Sequence, residues 1–205
     1  MALILVRHTR VDLPAGTCYG HADVPLLQPH DPPFDGVGQR LRTLLARIGV
    51  DARVGAVVCS PLSRARLLAQ HLAADHGQTV AVDPRWMELH FGAWEGRRWD
   101  DIPRVESDPW AADTHHRAPP GGETQNALIA RVQAALAALH APASQPGQAV
   151  LVVAHAGPLR VALGAAQGWV ASADPQQAPV SLDFGGLTWL DPQPGGGWAL
   201  RALNA

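Results

Sequence analysis

Three short runs of apolar residues punctuate the chain: Ala2-Leu-Ile-Leu-Val6, Val54-Gly-Ala-Val-Val58 and Ala149-Val-Leu-Val-Val-Ala154. None alternates with polar residues. Unbroken apolar runs of this length predict strands buried on both faces, the pattern of parallel strands covered by helices. Between them the pattern becomes helical. Val37, Leu41, Leu44, Leu45 and Ile48 recur at one-turn spacing, as do Leu128, Val132, Leu136 and Leu139. Ser60-Pro61 predicts an N-cap followed by Pro at the first helical position, opening a helix to about Ala74. Gly157-Pro158 opens another, which Gly168 ends. Near the C-terminus Val180–Phe184, Gly186–Leu190 and Trp198–Ala202 read as short strands, with Asp191–Gly197 as a hairpin turn.

Together these elements predict an α/β fold: three layers, α/β/α, around a mostly parallel central sheet with an antiparallel edge. Two Pro-rich stretches, Pro25–Pro33 and Pro103–Pro120, read as loops or a lid, because neither separates two complete cores. One domain over residues 1–205 is expected, with a small lid insertion at about 95–122.

Composition narrows the class. The chain has 205 residues, 47% hydrophobic and 17% charged, with net charge −2, enough for a sizeable core and unlike a disordered chain. The balance of 16 basic to 18 acidic residues, with no basic run, argues against a nucleic-acid partner. All sixteen basic residues are Arg, which excludes mechanisms built on a lysine: Walker A, kinase, Schiff-base and pyridoxal phosphate enzymes. Cys18 and Cys59 have no metal-type or C-x-x-C spacing and are expected as two buried thiols. The N-terminus lacks a basic start and no apolar stretch reaches membrane-spanning length, so a cytoplasmic protein without membrane partners is expected.

Chemistry gathers where the strands end. The first runs into Arg7-His8-Thr9, the second into Cys59-Ser60-Pro61-Leu62-Ser63-Arg64, and the third into His155-Ala156-Gly157-Pro158. Ligands of open α/β sheets bind at the carboxyl ends of the strands. Two histidines and two arginines therefore arrive at one edge from three parts of the chain. Arginine is suited to multidentate recognition of phosphate, and helix N-termini add oriented N–H groups. A dianion site with imidazoles in reach follows. Arg64 in a first helical turn opposes the helix dipole, which a bound anion explains better than a solvated side chain does.

These segments resemble the histidine phosphatase superfamily, the phosphoglycerate-mutase-like branch. Its strand followed by Arg-His-Gly is met by Leu3-Ile-Leu-Val-Arg7-His8-Thr9, with Thr9 in place of Gly. Its Ser-x-Leu-x-Arg-Ala is met by Ser60–Ala65, its acid segment by Glu88-Leu-His-Phe-Gly92-Ala-Trp-Glu95-Gly96, its Pro-x-Gly-Glu-Ser/Thr by Pro120–Thr124, and its closing Val-x-His-Gly-Gly by Val153–Gly157. Order and spacing agree over roughly residues 1–168. Within the superfamily, Cys18–Leu26 after the Thr-type opening is similar to the α-ribazole phosphatase subfamily. The mutases' Asn falls at Pro14 and their Glu at Arg10, which counts against a mutase.

The resemblance implies a metal-independent phosphomonoesterase without cofactor, acting on a small-molecule phosphate monoester, with α-ribazole 5′-phosphate as the finer expectation. His8 is then the nucleophile that forms a phosphohistidine, while Arg7, Arg64, His155 and the Thr9 hydroxyl hold phosphate oxygens. Glu88 is the expected proton donor, with Glu95 and Glu123 as alternatives. Such a role asks for a raised pKa, for which Trp86, Phe91 and Trp94 offer an apolar setting. Tyr19, Trp94 and Trp99 are candidates for a substrate wall, and Arg97, Arg98 and Arg104 for steering an anion. The other histidines show no H-E-x-x-H and no i, i+4 helical pair, so no metal is expected. Competing readings are a broad sugar or nucleotide phosphatase, a phosphoglycerate mutase, an inactive phosphate-binding module, and thiol chemistry at Cys18 or Cys59.

Overall fold

The computed structural model describes residues 2–49, 53–169 and 180–205. The apolar runs form β1 (Ala2–Arg7), β2 (Arg53–Cys59) and β4 (Gln148–Ala154). They lie side by side in one six-stranded sheet of order β3-β2-β4-β1-β5-β6, whose remaining members are β3 (Val80–Val82), β5 (Leu187–Gln193) and β6 (Gly197–Ala202). The first three pairings are parallel, and β1–β5 and β5–β6 are antiparallel.

Alternation along a strand sends neighbouring residues to opposite faces, and both faces here are apolar. Leu3 and Leu5 of β1, with Val150, Val152 and Ala154 of β4, enter one core; Ala2, Ile4 and Val6, with Ala149, Leu151 and Val153, enter the other. The second core is closed by α1 (Phe34–Ile48) and α2 (Ser63–Ala74) through Val37, Leu41, Leu44, Leu68 and Leu72. The first is closed by α4 (Gln125–Ala143) and α5 (Ala156–Gln167), and by Trp86, Trp94 and Trp110. This is the three-layer α/β/α arrangement expected.

Several local expectations change. Ser60-Pro61 does not open α2: the helix starts at Ser63, and the Ser60 hydroxyl accepts the Leu62 N–H at 3.3 Å before the helix and meets the His155 ring at 2.8 Å. The N–H of Ser63 is capped instead by Asp23 at 2.7 Å, from 40 residues earlier in the chain. Val180–Phe184 is irregular rather than a strand. The Pro-rich 103–120 stretch contains α3 (Arg104–Ala112), with Pro103 at its N-cap and Pro109 inside it. The two prolines hid a helix that the aromatic packing of Trp110 on Trp99 and Trp94 anchors. β3 was not foreseen, since Val80-Ala-Val82 is only three residues long. Gly168 does end α5, in the left-handed conformation with φ 75°.

Candidate active site

Adjacent strands in parallel register deliver their next residues to neighbouring points, about 5 Å apart. Arg7 of β1 pairs with Ala154 of β4, and Cys59 of β2 with Val153. The residues that follow, His8, His155 and Ser60, therefore stand in a row at the carboxyl edge. The His8 and His155 ring centroids are 5.1 Å apart, edge to face, and both rings are buried.

Hydrogen bonding fixes the tautomer of each. His8 Nδ1 lies 2.6 Å from the Thr9 carbonyl oxygen, so it is the protonated nitrogen and Nε2 keeps its lone pair. His155 Nδ1 accepts from Arg64 Nε–H at 3.2 Å, so its proton is on Nε2, which donates to Ser60 Oγ at 2.8 Å. Burial, then the nearby Arg64, holds both imidazoles well below the ordinary histidine range, with Arg7 adding to the effect. Both are neutral. His155 has each ring nitrogen committed to protein.

The guanidiniums are held from several directions. Arg64, fully buried, donates through Nε to His155 and through its terminal nitrogens to the carbonyls of Ala22 (2.8 Å) and Gly20 (2.6 Å), leaving one further N–H on each terminal nitrogen. Arg7 donates to the Leu182 carbonyl at 2.6 Å and stacks on the Phe184 ring with Cζ 3.7 Å from its centroid. Burial lowers the pKa of both arginines, and the Arg7 Nε–H is buried without a partner. Unpaired N–H groups on buried cations suit an oxyanion.

A cavity opens beside these groups. Arg7, His8 and Glu88 line it, with Tyr19, Leu89, Phe91, Trp99 and Leu128 as an apolar and aromatic wall, and Thr17, Gln125, Gly157 and Arg160 completing it. Of the three acids considered, only Glu88 faces it. Both Glu88 oxygens accept the Gly157 N–H at the start of α5 (3.1 Å each), and one also accepts the Leu89 N–H at 2.9 Å. The carboxylate is thus hydrogen-bonded at a helix N-terminus, and Trp86 and Trp94 lie in the core, away from the cavity lining.

Glu95 and Glu123 are braces. Glu95 accepts the N–H groups of His21, Ala22 and Phe91. Burial alone would raise its carboxyl, but these bonds outweigh it and hold the pKa below the usual range. Glu123 accepts from the His90 N–H and from Arg131, whose other donors reach the carbonyls of Arg85, Met87 and Glu88. Two carboxylates thereby lock the loop that carries a third.

Other expected residues sit differently. Trp94 is fully buried and donates its indole N–H to Glu106 at 3.0 Å; Phe91 and Trp99 form the wall with Tyr19 instead. Thr9 is buried, its hydroxyl unpaired and its side chain outside the cavity lining, so its carbonyl is what touches the histidine. Arg97 bonds the Asp101 carbonyl, Arg98 lies 3.7 Å from Asp100 and Arg104 pairs with Asp108, so these three are engaged away from the cavity lining. Cys18 and Cys59 are unbridged and buried, and burial pushes their thiols up to about 12 and about 11, so neither is a thiolate at neutral pH.

Sequence reasoning missed Arg160, Gln125, Arg131 and Phe184. Arg160 was within reach: it stands one turn beyond Gly157 on the helix already assigned to the site. Phe184 arrives from the far end of the chain and leaves no local signal.

A sequence model of the histidine phosphatase superfamily (branch 1) matches residues 3–205. The adenosylcobalamin/α-ribazole phosphatase of Salmonella typhimurium is 32% identical over 165 residues, covering 78% of this chain and 76% of that protein. Among solved structures, the α-ribazole phosphatase of Shigella flexneri superimposes with a TM-score of 0.79 at 28% identity, over 100% of this chain and 96% of that one. The mycobacterial glucosyl-3-phosphoglycerate phosphatase bound to VO3 gives a TM-score of 0.78 at 27% identity, over 100% and 98%.

Proposed function

The chain belongs to the histidine phosphatase superfamily and is a phosphoric monoester hydrolase; from that premise we propose that it removes the 5′-phosphate of α-ribazole 5′-phosphate, in cobalamin nucleotide-loop assembly, through a phosphohistidine at His8. The observation that carries this is the neutral His8 ring, whose Nδ1–H is tied to the Thr9 carbonyl while Nε2 stays available beside Arg7 and Arg64.

The Nε2 lone pair bonds phosphorus as the ester P–O bond breaks. The leaving oxygen takes its electron pair and the proton of Glu88. The Thr9 carbonyl steadies the charge that develops on the imidazole, since it already accepts the Nδ1–H. Arg7 and Arg64 take up the charge on the non-bridging oxygens. In the second half Glu88 removes a proton from water, the water oxygen bonds phosphorus, and the N–P bond returns its electrons to Nε2. His155 works mainly through Arg64 and Ser60, which occupy its two nitrogens; a direct phosphate contact exchanges the Ser60 bond for one to a phosphate oxygen. The aromatic wall of Tyr19, Phe91 and Trp99 suits the flat base of the ribazole.

The test is phosphate release from α-ribazole 5′-phosphate in EDTA, beside sugar and nucleotide phosphates at equal concentration. A strong preference for the ribazole ester is expected, without effect of EDTA, because the arginines supply the positive charge. Slow, even turnover of the panel would keep the chemistry and replace the substrate with a broad one. Abolition by EDTA with rescue by a divalent metal would overturn the mechanism.

A further inference from the structure

We propose that Gln125, together with Arg160, recognises hydroxyl groups on the departing alcohol, so that the cavity selects phosphate esters of polyhydroxy, sugar-type alcohols. The proposal rests on the phosphatase reading of the His8 cavity.

Gln125 is the first residue of α4 and only 1% exposed. Its side chain is not spent on the helix end. Thr124 accepts the Ala127 N–H at 3.2 Å, and the Gln125 backbone N–H goes to the Thr114 carbonyl at 3.0 Å. Both side-chain amide atoms, Nε2 and Oε1, are buried with no partner, and the residue lines the cavity that holds Glu88. Leu128, one turn on, lines it too, so this face of α4 is turned inward. Buried amides are almost always paired, and one with donor and acceptor both idle inside a substrate cavity marks a contact that a ligand completes.

Arg160 adds a second idle donor. Its Nε–H is buried without a partner, one turn past the Gly157 N–H that holds Glu88, and Arg160 lines the same cavity. The neighbouring wall of Leu89, Phe91 and Leu128 has no side-chain hydrogen-bonding atom, and Thr17 gives its hydroxyl proton to the Pro14 carbonyl. Beside the hydroxyl of Tyr19 and the indole N–H of Trp99 on the aromatic wall, Gln125 and Arg160 thus offer two kinds of N–H donor and one carbonyl acceptor. A hydroxyl accepts from the first and donates to the second. A carboxylate or second phosphate would satisfy the donors and leave Oε1 facing another lone pair. Vicinal hydroxyls therefore fit better than an acid.

The experiment compares kcat/KM for ribose 5-phosphate, 3-phosphoglycerate and propyl phosphate in the wild type, Gln125→Met and Gln125→Glu. The wild type is expected to prefer the ribose ester. Both variants should lower the ratio of ribose 5-phosphate to propyl phosphate at least tenfold, mainly through KM. Turnover of propyl phosphate reports that each variant is folded; Gln125→Met removes donor and acceptor without adding charge, and Gln125→Glu keeps the size while replacing the donor by a carboxylate. A parallel loss on both esters in Gln125→Met, an unmoved ratio, or a wild-type preference for phosphoglycerate overturns the proposal. An enzyme that ignores α-ribazole 5′-phosphate yet shows the Gln125-dependent preference supports it and removes only the pathway assignment.

Discussion

Gly157 and Glu88 meet in the cavity from positions 69 residues apart, and the meeting tolerates nothing larger. A Cβ at position 157 would lie 2.0 Å from Glu88 Oε1, so Gly157→Ala must push the carboxylate aside. The displaced carboxylate gives up the Gly157 and Leu89 N–H groups, at about 1–3 kcal/mol for each donor left stranded, so thermal stability should fall modestly while kcat falls tenfold or more. Unchanged kcat would remove Glu88 from the reaction. His8 and His155 make a second prediction. Unfolded histidine titrates near 6.5, whereas these stay neutral well below that when folded. Below about pH 6.5 the unfolded chain binds protons that the native state does not, so stability falls as pH drops, by up to about 1.4 kcal/mol per pH unit for each group. Urea unfolding between pH 6.5 and 5 measures this, and His8→Asn should remove one group's share of the slope; an unchanged slope would contradict the buried neutral state. The strand-end residues Arg7, His8 and His155 were legible because strand order delivers them. Which acid faces the cavity was not, since Glu88, Glu95 and Glu123 differ only in what the folded loops aim them at.

At the scale of elements, the Glu88 loop is a clamped unit. Glu95 ties it to the 20–22 loop, whose carbonyls hold Arg64, so one carboxylate braces both the Glu88 loop and the Arg64 guanidinium. Glu95→Ala would strand the N–H groups of His21, Ala22 and Phe91, at a cost of about 3 kcal/mol, since each stranded donor costs about 1–3 kcal/mol and water recovers part of it. Denaturant unfolding should show that loss, with kcat falling as well; full stability would mean the loop is held by something else. The strands and the long helices were legible from apolar pattern because each buries a whole face. α3 and the start of α2 were not. Prolines mask the first, and the second is capped by Asp23, a partner no local window contains.

For the whole molecule, one fact of topology does most to make the site. β1 and β4 are neighbours although separated by most of the chain, and their register sets His8 beside His155. Each then acquires its tautomer from a different partner, a carbonyl for one and a guanidinium for the other. The α/β class followed from pattern alone, but this asymmetry of two similar residues needed coordinates. From it follows our proposal that His8, and not His155, receives the phosphoryl group. The direct measurement is to mix enzyme with α-ribazole 5′-phosphate carrying a labelled phosphate, quench in alkali and locate the label by peptide mapping. The account predicts a phosphate that survives alkali, is lost in acid, maps to His8 and is absent from His8→Ala. Label on His155, or steady turnover with no phosphoenzyme at any quench time, would contradict it.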